Sequence, residues 1–219
     1  MTLSIKEVHN RKSDYFRGAV QAAVQAFKAT EMDSVLAHTG GNPEIFEELV
    51  TSLFAMGLRD GHLDVAVINN EVVGAISWFE PGKTMKPMED PDYVAFWEKL
   101  SPEGKQWWCK DAGPLLKELA DEGFKRPNGN LNRYVIELLG VKPQYRGRGV
   151  GGSLIKRCID ATNRETRAEA AIACVISAKI GIAAYRSQGM ELRASKYIPN
   201  PWAENGSDRY ALVYEKRNI

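Results

Sequence analysis

The stretch LLGVKPQYRGRGVGGSLI, residues 138–155, constrains this chain more than any other. Its centre, residues 146–152, packs four glycines and two arginines between one apolar run and the next. Glycine has no Cβ, so its φ can be positive and a ligand can approach its amide closely. A glycine turn that follows a strand and opens a helix also exposes unpaired N–H groups at the positive end of the helix dipole, an arrangement that binds phosphate oxygens. Arg146 and Arg148 add positive charge to a chain whose formal net charge is only +1, so an anion site here is local. A near-neutral chain also does not describe a nucleic-acid binder. The ordinary alternative is a glycine-rich turn with solvated arginines.

The elements around the loop follow from hydrophobic period. LSIKEV (residues 3–8) alternates as a strand. Ser13 reads as the cap of a helix whose Phe16, Val20, Ala23, Val24 and Phe27 repeat with helical spacing. TGGNP breaks the chain at residues 39–43, and a second helix is expected over Pro43 to Leu58. HLDVAVINNEVVGAISWFE reads as a hairpin turning at Asn69-Asn70. Residues 81–130 are broken by prolines and glycines and carry three tryptophans, which predicts two or three short helices inserted between strands. RYVIELLGV is a strand. The helix after the glycine loop buries Val150, Leu154, Cys158 and Ala161. AAIACVIS is a buried strand, GIAAYRSQGM a short helix stopped by Gly189, and ELRASKYI and RYALVYEK are two closing strands. The length of 219 residues fits one domain, residues 1–219. The order of elements gives an α/β fold, a mixed sheet flanked by helices with a helical insert at 81–130.

Three phosphate-binding patterns compete for the loop. Gly147, Gly149 and Gly152 match the dinucleotide pattern G-x-G-x-x-G, which also wants an acidic residue about 20 positions on, ending a second strand. Glu169 has the spacing but precedes its strand, and only 67 residues follow Gly152, too few for the usual unit. GRGVGGSL nearly matches a P-loop, but Ser153-Leu154 stands where Lys-Ser/Thr is required, which argues against nucleotide hydrolysis. The third pattern fits better. VKPQYRGRGVGGSLI resembles the pyrophosphate loop of the GNAT superfamily of acetyl-CoA-dependent N-acyltransferases, whose signature is Gln/Arg-x-x-Gly-x-Gly/Ala. Arg146, Gly149 and Gly151 fill it, with Val141 and Pro143 in the lead-in. SAKIGIAAYRSQGM resembles the family's next segment through Tyr185 and Gly189, with Met190 in place of a phenylalanine. Ala178 replaces an asparagine that many members direct at the pantetheine arm.

The resemblance implies acetyl-CoA as co-substrate and a sheet that splays where the cofactor lies. The amides of Gly147, Arg148, Gly149, Val150, Gly151, Gly152 and Ser153, with Arg146, then hold the pyrophosphate. Leu139, Gly140 and Val141 pair with the pantetheine, and Gly140 is the expected site of the bulge that starts the splay. A backbone N–H near Leu139 stabilises the oxyanion. An alkyl ammonium of pKa about 10.4 must lose a proton before it attacks. Glu137, expected on the face of the Leu139 side chain, is the candidate base. Its alternative is a carboxylate paired with Arg133 or Lys142, and Glu191 is a second candidate. The resemblance gives Tyr185 the role of acid to the departing thiolate; the alternative is a packing tyrosine.

Other residues fill out the expectation. Cys174 reads as a small buried hydrophobe, not an acyl carrier. The three histidines have no metal-ligand spacing. Trp97, Trp107 and Trp108 read either as core of the insert or as an aromatic wall over an acceptor pocket. Trp202 is an expected substrate contact. Lys156 and Arg157 read as a solvated helix face or as contacts to the cofactor's 3′-phosphate. The expected acceptor is a small-molecule or peptide primary amine, with no nucleic acid and no membrane partner. No run approaches the roughly 18 apolar residues of a membrane span, the N-terminus lacks a signal peptide's apolar middle, and cysteine use fits the cytoplasm, with the nucleus not excluded. A CoA-binding module without chemistry and a nicotinamide-dependent oxidoreductase are the competing readings.

Overall fold

A computed structural model of the protein describes residues 2–125, 132–204 and 206–216. The chain runs β1 (Leu3–Glu7), α1 (Asp14–Thr30), α2 (Met32–His38), α3 (Phe46–Asp60), β2 (His62–Ile68), β3 (Glu71–Phe79), α4 (Pro91–Lys99), α5 (Pro102–Trp107) and α6 (Gly113–Phe124). It continues β4 (Tyr134–Val141), α7 (Val150–Arg164), β5 (Ile172–Ala178), α8 (Ile182–Ser187), β6 (Glu191–Ile198) and β7 (Ser207–Glu215). Local chemistry sets many of these ends. Ser13 Oγ accepts the Phe16 N–H at 3.2 Å and starts α1. Asn69 and Asn70 take φ of 50° and 65°, the left-handed pair that a two-residue hairpin turn demands. The sequence did not announce α2, because no glycine or proline divides it from α1. Pro43–Ile45 forms a 3₁₀ turn, so the helix expected from Pro43 begins at Phe46.

The seven strands form one mixed sheet in the order β1-β2-β3-β4-β5-β7-β6. Among the described residues β4 and β5 are the only parallel neighbours, which removes the oxidoreductase reading, since that fold needs a parallel sheet. Their pairing lasts only from Tyr134↔Ala173 to Ile136↔Val175. Beyond it β4 stays on β3 as far as Val141 and β5 stays on β7 as far as Ala178. The two strands therefore part, and each keeps a free edge toward the other.

The bulge that accompanies the splay is not at Gly140. Ser77 pairs with Leu138 and Trp78 with Ile136, so Glu137 is the extra residue. Gly140 stays in register opposite Ala75. It is glycine because a Cβ there would lie 2.6 Å from Ala23 Cα of α1. The bulge also corrects the expected facing of Glu137. Ile136 and Leu139 both pack in the cluster under α7, while Leu138 packs under α1 and α3. The alternation of faces slips by one between them, which puts Glu137 with Leu138 and opposite Leu139.

The helices cover both faces. α1, α3 and α4 bury Phe16, Val50, Phe54 and Phe96 against one side of the sheet. α7 and α8 bury Leu154, Ile155, Cys158 and Tyr185 against the other. In the insert, Asp90 and Ser101 cap α4 and α5, each accepting an N–H at 3.1 Å. Between α5 and α6 lies a π-helical turn, Trp108–Ala112. Pro114 explains it: proline has no N–H for the carbonyl four residues back, so the turn widens and Gly113 N–H reaches Trp108 O instead. The end of the expected insert, residues 126–130, lies outside the described residues.

Candidate active site

The glycine loop is built as an open amide cradle. Gly147 and Gly149 have φ of 70° and 79°, and a Cβ on either would meet nothing within 4 Å. Backbone conformation, not crowding, requires glycine at both positions. Arg146 N–H bonds Pro143 O at 3.2 Å, and Ser153 N–H bonds Gly149 O at 2.9 Å as the first bond of α7. Between them, among the described residues, the N–H groups of 147–152 have no carbonyl partner. Two expected cofactor residues change role. Ser153 has its N–H committed to the helix. Arg146 ties the loop to the fold, donating to Val141 O at 3.2 Å, Thr30 Oγ1 at 2.8 Å and Ala26 O at 2.8 Å. Arg148 is exposed and lies 5.7 Å from the Tyr145 ring centre.

A cavity of about 910 Å³ runs from this loop along the gap between β4 and β5 to the insert. Lys142 N–H bonds Val73 O at 2.9 Å. Backbone groups alternate sides along a strand, so Leu138 and Gly140 face β3 while Leu139 and Val141 turn theirs to the gap. The Val141 carbonyl is held by Arg146, which leaves its N–H and both groups of Leu139.

Glu137 sits where the gap opens, half-buried and lining the cavity. Burial pushes its carboxyl up to about 7, against a smaller downward pull from the Arg133 charge. It takes part in none of the ion pairs among the described residues; Lys142, one of its expected partners, pairs with Glu71 at 2.7 Å. The other candidate base, Glu191, is exposed, pairs with Arg193 at 3.0 Å and does not line the cavity.

Tyr185 also lines the cavity, only 4% exposed, with its phenol raised by burial and so fully protonated at neutral pH. The end of α8 fixes it. Met190 N–H bonds Tyr185 O at 3.2 Å and Gly189 N–H bonds Arg186 O at 3.0 Å, a Schellman stop around Gly189 with φ 82°. Its ring packs over Gly181, where a Cβ would come within 3.1 Å of it. Lys156 and Arg157 are otherwise engaged, with Asp160 at 2.6 Å and with the buried Asp64 at 3.1 Å.

Sequence reasoning reached the far end of the cavity only in part: of the three tryptophans read as core or as an aromatic wall, Trp97 is not in the lining, and Phe27, Phe46, Tyr93 and Phe96 were not foreseen there. Trp107 and Trp108 line it, with ring centres 5.2 Å apart, edge to face. Trp107 Nε1 donates to Pro199 O at 2.9 Å and Trp108 Nε1 to His38 O at 3.4 Å. Trp202, the expected substrate contact, is not part of the lining: it packs behind Trp107 at 5.6 Å and against Gly41, where a Cβ would lie 2.5 Å from its ring. His38 is held neutral, its imidazole pushed down to about 4 by burial and by Arg209. Its Nδ1 donates to Ser34 O at 2.6 Å. Arg209 donates to Ser34 Oγ at 2.9 Å and stands 3.9 Å from Glu31.

Comparison with known proteins agrees with this geometry. The acetyltransferase (GNAT) family model matches residues 29–190, so the chain belongs to that family and is an acyltransferase. No curated protein sequence matches it. The fold is similar to a putative arylalkylamine N-acetyltransferase 7 of the yellow fever mosquito, at 13% identity and a TM-score of 0.65, covering 97% of this chain and 87% of that one. It is also similar to a Drosophila melanogaster polyamine N-acetyltransferase that forms N-acetylagmatine, at 15% identity and a TM-score of 0.59, covering 98% and 100%. A third likeness is to YncA of Salmonella typhimurium, a putative acetyltransferase solved with acetyl-CoA, at 12% identity and a TM-score of 0.53, covering 99% and 95%. At these identities the likeness is one of fold.

Proposed function

We propose that the protein transfers an acetyl group from acetyl-CoA to a primary amine by direct attack within a ternary complex. The observation that carries this reading is a carboxylate raised to about 7, Glu137, at the mouth of a gap whose other end is a cradle of open amides. The N–H groups of Gly147 to Gly152, aided by Arg148, take the pyrophosphate. The free edge at Leu139 and Val141 takes the pantetheine amides. Ala178 offers no side-chain contact, so on that side only the backbone edge of β5 remains for the arm.

Acetyl-CoA supplies the thioester carbonyl. Glu137 accepts a proton from the incoming ammonium, directly or through water. The amine nitrogen then forms the new C–N bond, and the Leu139 N–H stabilises the oxyanion, a contribution of about 3 kcal/mol, on the order of a hundredfold in rate. As the C–S bond breaks, the Tyr185 phenol gives its proton to the sulfur and regains one, through water, from the second proton that the nitrogen sheds, leaving CoA thiol and the N-acetylamine. A residue poised near 7 is matched to proton transfer at neutral pH. We assign the reaction to the cytoplasm, in keeping with the cysteine use of the chain.

Two measurements test the reading. Acetyl-CoA should raise Tm and NAD(P) should not; stabilisation by NAD(P) alone would overturn the cofactor assignment. Thiol release from acetyl-CoA should depend on added primary amine. Release that is absent across a panel of amines, with CoA bound, would leave a binding protein without this chemistry.

A further inference from the structure

The far end of the cavity carries an inference about the acceptor, which rests on the reaction just proposed. We propose that this lobe is the acceptor site and that its substrate is an arylalkyl primary amine, one ammonium joined by a short chain to a flat aromatic group.

The lobe presents ring faces. Phe27, Phe46, Tyr93, Phe96, Trp107 and Trp108 all line it. Both indole N–H groups are spent on backbone carbonyls, so neither tryptophan offers a donor to a ligand. What the two indoles still offer is ring surface, which favours a ring in offset or edge-to-face contact. The π-helical turn beginning at Trp108 accompanies this arrangement, in which two consecutive tryptophans both reach the cavity.

The charges of the lobe allow one cation. Glu137, at its inner end, is outside every ion pair among the described residues and is where the reacting nitrogen must come. The other lining carboxylate, Glu31, has Arg209 at 3.9 Å. His38 is neutral, so it adds no charge. A diammonium or guanidino amine would have to place its second cation beside Arg209, which repels it, or on ring faces, where cation–π attraction stands in for an ion pair. An arylalkylamine places its single charge at Glu137 and its ring on the indoles.

The test compares phenethylamine and tryptamine with agmatine and spermidine, using the intact chain, acetyl-CoA thiol release, and calorimetric binding of each amine to the CoA-loaded protein. The proposal expects kcat/KM for the arylalkylamines at least tenfold above the polycations. It also expects 2-phenylethanol, which has the ring without the amine, to inhibit competitively against the amine. Trp108→Ala should collapse the preference for aryl amines. Should that variant fail to fold, the 2-phenylethanol competition on the native chain decides the point. Equal or better turnover of agmatine or spermidine overturns the aromatic site and leaves the acetyltransfer intact. Arylalkylamine binding without thiol release leaves the aromatic site standing and overturns the chemistry. No binding and no turnover of any of the four overturns the aromatic site.

Discussion

The two ends of the cavity are made of different material. At the glycine loop the open groups are peptide amides, fixed by φ values near +70° and +79° and by a helix start at Val150. At the insert they are aromatic side chains brought from α1, α3, α4, α5 and the π-helical turn. The difference teaches what each end can discriminate. Amides at a helix start recognise a diphosphate of fixed geometry and leave little to vary. Ring faces from five separate elements can be exchanged one at a time without disturbing the sheet, so on the proposed assignment acceptor choice can change while the donor site stays constant.

Substitutions can break or sharpen this contrast. The largest effect is expected between the two ends, at Glu137. Glu137→Gln should lower kcat/KM by about 10²–10⁴-fold with CoA affinity held. In the native protein kcat/KM should climb as pH rises through about 7, because the base acts only when ionised, and this limb should vanish in the variant. Stability runs the other way. The folded carboxyl is raised from 4.5 to about 7, so the native state holds more protons than the unfolded chain between those values and loses stability as pH rises across them. Glu137→Gln should therefore gain Tm over the native protein at pH 8 relative to pH 4.5. Activity of the variant within threefold of native would remove Glu137 as the base.

Next comes Tyr185→Phe, which keeps the packing over Gly181 and removes only the proton. It should cost about 10²-fold in kcat with both KM values nearly unchanged. An unchanged kcat would return Tyr185 to the role of core residue. Gly149→Val acts on the amide end alone. A β-branched residue at φ 79° costs on the order of 1–3 kcal/mol of strain, so CoA affinity should fall about tenfold or more while the KM for amine holds. A shift in amine KM equal to that in CoA would show that the two ends are not separable. The smallest effect is expected at Trp202→Phe. Because Trp202 lies behind Trp107 and outside the lining, Tm should drop by a few degrees and kinetics should stay within twofold.

The amide end was legible in the sequence for the same reason that it varies little. Its glycines, its strand and its helix are neighbours in the chain, so spacing alone reports them. Tyr185 and Gly189 are likewise four residues apart and tied by local hydrogen bonds. The aromatic end was legible only as one of two readings of Trp107 and Trp108, because Phe27, Phe46, Tyr93 and Trp108 meet only through tertiary packing. Trp202 was misplaced because a loop's position relative to a neighbouring indole is set by the close approach at Gly41, which no periodicity reports. Glu137 was found by type and position, but its face was misread. A strand read with strict alternation cannot reveal an inserted residue, and the pairing partner that exposes the slip, Ser77, lies far off in the chain.

The same extra residue has a consequence for how this strand can evolve. Loss of the Glu137 codon would restore an unbroken ladder on β3 and should yield a better-ordered sheet. It would leave Leu139 opposite Ile76 and Val141 opposite Gly74, so their peptide groups would still face the gap, and it would take away only the carboxylate. The proposed base is thus the inserted residue itself, and its loss should abolish turnover while CoA still binds along the unchanged edge of β4.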